Sequence, residues 1–569
     1  MQFSDRRAHT LRGSKLKLVS MAAVVGAALL VVGAASAGYQ PGAALGKRAN
    51  DTLIYAGASD PTYLDPALVS DGESFRITKQ IFEGLVDFRP GTTKVVPKLA
   101  KSWTVAKDGR TWTFSLRGGV FFSDGTAFNA RAVCANFNRW YNFKGPFQDA
   151  SATYYYQTVF SGFKHNENST LGKPLYSSCR AAGPLKAVVK LARRNGPFLS
   201  SLVLSAFSMQ SPTAMRKWGA DQGTIRNGTF YPTGQYPFRH PTGTGPFLLE
   251  KWTVGESVVL KRNPRYWGRK ARLARIIVRP ISDNTARVQA LQTGEVFGMD
   301  LLAPTLVSTV KRNSKLKVLN RPSFNVAYVG INSAKAPMTD VNVRRAVAYG
   351  LNRQLVVNSF YAGRAQVAHE FMPPSLPGYE PKVTKYAFNP TKAKQLLNQS
   401  SCHVPCRISF WYPTGVSRPY MPDPKANYEA FKASLEQSGF QVETTSQPWR
   451  PDYVKNVNQG TAGHLFLIGW TGDYADADNF LGVFFQGFNP QFGERNAALD
   501  RLLDRAEQET RTARRIALYK QANRLISQFV PGVPYAHSVP ALGFQKRVRN
   551  YFTSPIGTDE FDTVSLGGQ

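Results

Sequence analysis

Short apolar runs alternate with stripes of helical spacing along most of this chain. Thr52-Leu53-Ile54-Tyr55-Ala56 begins the fold as a strand, after a stretch from Gly38 to Asn50 that is rich in small residues and lacks periodicity. Asp108-Gly109 marks a hairpin turn, Trp112-Thr113-Phe114-Ser115-Leu116 alternates as a half-buried strand, and Asp124-Gly125 turns the chain again before helical spacing sets in after Ala127. Gly243-Thr244-Gly245-Pro246-Phe247 is a tight entry into a strand, and residues 258–267 read as a second strand ending in an aromatic pair. Behind Asp340, the i, i+4 stripe Val343, Val347, Leu351 and Leu355 predicts one amphipathic helix closing near Gly363. Asn389-Pro390 and Asp423-Pro424 each put a capping residue before a proline, so helices are expected to start near 390 and 424. Helical patterns fill Asn496 to Phe529, and strands alternate with helices elsewhere. The pattern is that of an α/β protein with more than one domain, with no short internal repeat.

Length agrees: 569 residues exceed what one core supports. The amino terminus stands apart. Arg6, Arg7, Arg12, Lys15 and Lys17 precede an apolar stretch from Leu18 to Val32, and Ala35-Ser36-Ala37 offers a small-residue cleavage site. Residues 1–37 are therefore expected to be an export signal of the general secretory kind and 38–50 a flexible tether; an uncleaved N-terminal anchor is the alternative. No cysteine follows Ala37, so lipid attachment at a new terminus is chemically unavailable.

The formal net charge is +34, of which the five basic residues and one aspartate of 1–37 carry little. So basic a surface attracts phosphate-bearing polymers, and for an exported protein anionic cell-envelope polymers are the expected partners. The basic residues are spread rather than clustered with aromatics, which argues against nucleic acid. Four cysteines in an exported chain imply disulfides; proximity pairs Cys134 with Cys179 and Cys402 with Cys406, although three connectivities are possible. Cys402, His403 and Cys406 crowd three potential zinc ligands into five residues with no clear fourth, so no metal and no cofactor is expected.

Against that basic background, residues 469–480 hold Asp473, Asp476 and Asp478 and no cation. The apolar run His464 to Ile468 just before them reads as a buried strand, and Gly469 and Gly472 punctuate its end. A carboxylate held there beside the Trp470 indole suits a ligand ammonium, through a charge-assisted hydrogen bond and a cation–π contact. Asp476 and Asp478 are expected to cap or solvate the turn.

Five sequence blocks, in order, carry a resemblance: W-x-x-x-x-D-G-R-T-W-T-F-x-L-R-x-G-V-x-F from Trp103, G-T-G-P-F at 243, R-N-P-R-Y-W at 262, R-A-V-A-Y-G-L-N-R at 345 and G-W-T-G-D at 469. Together they resemble the extracytoplasmic solute-binding proteins of peptide-type ABC importers, most closely the dipeptide-binding branch. The resemblance implies an α/β, two-lobed clamshell of the periplasmic-binding-protein kind with an inserted domain and a discontinuous first lobe. Lobe I would be 50–82, 243–322 and 539–569, the inserted domain 83–242 and lobe II 323–538, with hinges near 322 and 538.

In that branch the aspartate of G-W-T-G-D pairs with the peptide ammonium, which falls on Asp473, and the arginine of R-P-Y takes the carboxylate, which falls on Arg418. Tyr420 completes the R-P-Y block, Gly469 opens the G-W-T-G-D block, and Trp449 and Trp470 match aromatic positions of the cavity. Ala477 stands where relatives commonly carry proline. The function implied is capture of dipeptides or short peptides by a monomer and delivery to an ABC permease. A longer oligopeptide, metal chelate, haem or sugar-like solute on the same fold is an alternative, as is a cell-surface receptor or adhesion protein. No G-x-S-x-G, H-E-x-x-H or P-loop supports a peptide hydrolase or other enzyme.

Overall fold

Three sheets organise the chain in the computed structural model, which describes residues 51–493 and 495–567. The expected signal and tether lie outside the described residues. The first sheet has seven strands in the order Phe247–Thr253, Ser257–Arg262, Arg275–Pro280, Thr52–Gly57, Gly298–Leu302, Ala541–Gln545 and Leu316–Asn320. Its members come from three separated parts of the sequence. Thr52–Gly57 sits near its middle, parallel to both neighbours, and Leu53, Tyr55 and Ala56 are fully buried.

The second sheet orders Ala365–Val367, Gly532–Ser538, Asn325–Ile331, Leu465–Thr471, Cys406–Thr414 and Phe440–Pro448. All seven residues of Asn325–Ile331 are buried, because helices cover both faces of this strand. Leu465–Thr471 lies antiparallel beside it, with Gly469 opposite Ala327 and Thr471 opposite Asn325. Burial lapses at Trp470 and Thr471, where the strand leaves the core.

A third, antiparallel sheet of Ala100–Val105, Thr111–Leu116, Lys186–Leu191 and Tyr176–Ala181 has its own aromatic-rich core. The chain passes between the first and second sheets twice, at 321–324 and at 539–540.

Local sequence accounts for most boundaries. Asn389 and Asp423 cap Pro390–Asn398 and Pro424–Gln437 by accepting from Lys392 N and Ala426 N. The hairpin at Asp108-Gly109 forms with Gly109 at φ +68°, and the Asp108 carboxylate accepts from Arg110 N and Thr111 N at 2.8 and 3.0 Å. The stripe behind Asp340 makes two helices rather than one, Val341–Gly350 and Arg353–Phe360. Asn352 takes a non-helical conformation and caps the second through Leu355 N, which turns Leu355 out to 47% exposure. Disulfides join Cys134 to Cys179 and Cys402 to Cys406, which leaves no thiolate pair for zinc.

Two of the blocks that carried the resemblance prove to be mutually packed. Glu83 is 3% exposed and accepts from Thr244 Oγ1, Tyr266 OH and Trp267 Nε1, each at 2.7 Å, with Lys98 Nζ at 3.4 Å. Gly243 and Gly245 lie against the end of helix Gly72–Ile81, where an added Cβ would come within 2.2 Å of Ile81 O and 2.6 Å of Gln80 O. Asn263 Nδ2 donates to Gly245 O at 2.9 Å. G-T-G-P-F and R-N-P-R-Y-W are thus two halves of one buried junction.

Candidate ligand-binding site

Asp473 lies two residues beyond the end of Leu465–Thr471, half-buried. Its backbone N donates to Asn479 Oδ1 at 2.7 Å, and Asn479 Nδ2 reaches its Oδ2 at 3.4 Å. Its Oδ1 accepts from Tyr155 OH at 2.8 Å. Tyr155 belongs to helix Ala150–Phe160, which kinks at Thr153 and packs in the core of the third sheet. Among the described residues no cation is in ion-pair reach of Asp473. Burial pushes its carboxyl up to about 7, although the Tyr155 and Asn479 hydrogen bonds favour the ionised form.

Trp470 stands half-buried beside it, with Nε1 3.4 Å from Asn479 Oδ1 and its ring centroid 6.3 Å from that of Tyr154. Asn479 thus holds both the indole and the carboxylate. It is itself 1% exposed and sits in the first turn of Asp478–Phe485.

Arg418 lies in the turn after Cys406–Thr414, where its N–H and C=O exchange hydrogen bonds with Met421 at 3.1 and 3.0 Å. Its guanidinium carbon lies 4.4 Å from the Trp449 ring centroid, a cation–π stack. Nε is buried without a hydrogen-bond partner, and no carboxylate among the described residues pairs with the group. Desolvation lowers its pKa, Tyr420 opposes that shift, and Arg450 adds to it; Asp71 and Glu73 in turn favour the charge. A cavity of ≈ 20 Å³ beside the crossing at 539–540 is walled by Arg418 and Pro419 on one side and Leu301 to Pro304 on the other, so Arg418 borders the first sheet.

Tyr420 and Gly469 connect the two charges. An added Cβ at Gly469 would fall 2.4 Å from Tyr420 Cδ2, so the ring needs the glycine in order to pack on the strand. Tyr420 is 6% exposed, and burial pushes its phenol up to about 12. Sequence reasoning placed Gly469 with the ligand contacts; here its visible role is to seat Tyr420. Trp449 stacks in turn on Tyr453, whose OH donates to Leu467 O at 2.7 Å. The structure therefore brings Asp473, Trp470, Gly469, Tyr420, Arg418 and Trp449 to one end of the second sheet.

Of the remaining acids of the turn, Asp476 caps it as expected but is buried rather than solvated, and Asp478 is half-buried. Asp476 is 6% exposed, ion-pairs with Arg515 at 3.0 Å and accepts from Asp478 N. Asp478 accepts from Tyr474 OH at 3.0 Å, and Tyr474 belongs to the core of the third sheet. Nearby, Asn195 Nδ2 donates to Glu507 Oε1 at 2.7 Å and Gly196 N to Glu507 O at 2.6 Å. Asp473 thus faces a second body across a hydrogen-bonded seam. Tyr155 and Asn479 were missed from sequence: Tyr155 is one of three successive tyrosines, 318 residues from its partner.

Two lobes with an inserted domain define a periplasmic-type solute-binding protein. The chain belongs to the bacterial extracellular solute-binding proteins, family 5, whose middle-region model matches residues 94–492. It is 29% identical over 531 residues to the dipeptide-binding protein of Escherichia coli strain K12, covering 90% of this chain and 94% of that one. It is 31% identical over 542 residues to heme-binding protein A of Haemophilus influenzae, covering 91% and 93%. Among solved structures, the ABC transporter-associated periplasmic binding protein DppA from Helicobacter pylori, in complex with peptide STSA, matches with a TM-score of 0.78 and 27% identity over 91% of this chain and 98% of that one. The family is one of binding proteins rather than enzymes, and its members act outside the cytoplasm. Among the described residues no helix is long and apolar enough to cross a membrane.

Proposed function

We propose that this chain is the extracytoplasmic substrate-binding component of an ABC importer, that it captures dipeptides or short peptides, and that it passes them to a membrane permease. One observation carries the reading: a desolvated carboxylate, Asp473, and a desolvated guanidinium, Arg418, each lack a counter-ion among the described residues at the same end of one sheet. A short peptide is a zwitterion, and enclosing it leaves two charges stranded unless the protein answers both. Asp473 accepts from the ammonium; Arg418, held flat on Trp449, offers its planar fork to the carboxylate. Trp470 walls the ammonium end. The similarity to dipeptide-binding relatives supports this reading.

On this reading the first sheet is the core of a lobe made of 50–82, 243–322 and 539–569, and the second is the core of a lobe spanning 323–538. The third lies in an inserted domain, 83–242, and the crossings near 322 and 538 are the hinges. Export by the signal 1–37, action as a monomer and adhesion of the basic surface to anionic envelope polymers belong to the same proposal.

Isothermal titration with Ala-Ala tests it. Asp473→Ala and Arg418→Ala should each weaken binding by about 2–5 kcal/mol, the cost of leaving a buried charge unanswered. Unchanged affinity in both variants would falsify the assignment. The haem-binding relative favours one second reading, a haem-type ligand. Mass spectrometry of the solute that copurifies with the protein decides between them.

A further inference from the structure

Three parts of the chain meet at one phenol. Tyr155 is 8% exposed and lies on helix Ala150–Phe160, just past the break at Thr153, where φ is −125° and ψ 38°. Thr153 Oγ1 donates to Phe147 O at 2.7 Å and fixes that break. The Tyr155 ring packs against Phe75 of helix Gly72–Ile81, with centroids 5.6 Å apart, and edge-on to Tyr154 at 5.3 Å. Packing on both rings holds the hydroxyl in place, and it donates to Asp473 Oδ1 at 2.8 Å.

The two oxygens of Asp473 are not equally engaged. Oδ1 is taken by Tyr155, whereas Oδ2 has Asn479 Nδ2 only at 3.4 Å. Oδ2 is thus the oxygen left open to a ligand ammonium, and the bond to Oδ1 sets the plane in which it is offered. Burial, and after it the Asp473 charge, hold the Tyr155 phenol well above its ordinary range, so it keeps its proton and stays the donor. Tyr154 and Tyr474, the other phenols near Asp473, are kept protonated first of all by burial. Asp476 and Asp478 of the same turn are held by Arg515 and by Tyr474 OH. Asp71, which caps the helix that carries Phe75, accepts from Ser74 N, Ser74 Oγ and Thr62 Oγ1 at 2.9, 2.7 and 3.0 Å.

We propose that Tyr155 is a positioning residue for peptide capture: by donating to Asp473 Oδ1 from the inserted domain, it turns Oδ2 toward the ligand ammonium, so two parts of the molecule build the ammonium site together. This rests on the peptide reading above. Without that bond the carboxyl stays in the same dry place with one donor fewer. It then takes up a proton more readily and must release it before an ammonium can pair with it. A tyrosine that only closed the seam would cost the same affinity at every pH.

Titration calorimetry with Ala-Ala at pH 6 and pH 9 on the wild type and Tyr155→Phe tests the proposal, together with carbon NMR of the Asp473 carboxyl in protein without peptide. Comparing the two proteins at one pH cancels the titration of the peptide's own amine. Tyr155→Phe should weaken binding about tenfold at pH 6 and no more than about twofold at pH 9. The carboxyl midpoint, at about 7 in the wild type, should move up by about one pH unit. On the Asp473→Asn background, which has no carboxyl to titrate, the loss from Tyr155→Phe should no longer depend on pH. An equal loss at both pH values makes Tyr155 a packing residue and overturns the inference, as does unchanged affinity at pH 6 or a pH-dependent loss that persists on the Asp473→Asn background. An unmoved carboxyl midpoint overturns this inference alone. If no peptide binds the wild type, the proposed function falls and the capture role with it.

Discussion

At the scale of single residues, Asp473 combines two features that rarely coexist at a structural position: it is desolvated, and among the described residues it has hydrogen-bond donors but no cation. Near pH 7 the empty site therefore holds its carboxyl about half protonated. A ligand ammonium favours the ionised form, so binding below that pH must expel a proton. We expect net proton uptake above about pH 8, where the free peptide's amine has lost its proton, but about one proton released per peptide at pH 5.5, with affinity falling about tenfold per unit of pH below 7. Calorimetry in buffers of different ionisation enthalpy measures this directly, and Asp473→Asn should abolish the release. The same shift bears on stability. Because the folded value lies above the unfolded one, this residue's contribution is fully present below the ordinary carboxylate range and is lost as pH rises through about 7. Asp473 stood out in the sequence because its position and sign were both local facts. Asp476 was as acidic and as close, yet its partner Arg515 arrives from a distant helix and changes a solvated cap into a buried ion pair.

At the scale of elements, the most recognisable sequence blocks serve the scaffold. Thr244, Tyr266 and Trp267 converge on Glu83, so the junction joins the end of helix Gly72–Ile81 to the strands around 247–262. Glu83→Gln keeps the shape but gives up the charge-assisted bonds and leaves Lys98 without that carboxylate. It should cost about 2–4 kcal/mol in thermal or denaturant unfolding. Peptide affinity should change far less, since Glu83 touches none of the proposed ligand contacts. Helix placement was legible where a cap and a proline coincide, as at 389–390 and 423–424. It failed at 351–352, where the apolar stripe continues in register through a break that only the Asn352 side chain announces.

At the scale of the molecule, a buried ionic cluster lies beside one crossing between the sheets. Asp559, fully buried, accepts from Arg76 Nε at 2.6 Å, Arg321 Nη2 at 2.5 Å and the Tyr551 hydroxyl; Asp300 accepts from the same two arginines at 2.6 and 3.1 Å. Burial opposes the charge on Asp559, but Arg321 and Arg76 hold its carboxyl down at about 2. Since that value is depressed, its stabilisation is present above the ordinary aspartate range and is lost as pH falls toward 2. Asp559→Asn leaves two buried guanidiniums under-answered and should cost about 3–5 kcal/mol at neutral pH, with a smaller difference from wild type near pH 2. Chemical unfolding at the two pH values checks the sign. The cluster joins helix Gly72–Ile81, strand Gly298–Leu302, the crossing at 321 and the C-terminal segment, so it fixes one end of the chain path about which the lobes are proposed to move.

The sequence by itself determined several strands, the proline-marked caps, the cysteine count, the acidic strand end and, through its ordered blocks, the family; the strand it read over 258–267 ends at Arg262, short of the aromatic pair. These depend on periodicity and near neighbours, which a linear pattern records. Arg418 was found only through the resemblance, because an exposed arginine and one stacked on Trp449 look alike in one dimension. Tertiary structure alone decided that Tyr155 reaches Asp473 across the seam, that Glu507 meets Asn195, and that Arg321 is buried against Asp559. Those pairs are separated by hundreds of residues, and a charge or phenol carries no local sign of the partner that folding brings to it.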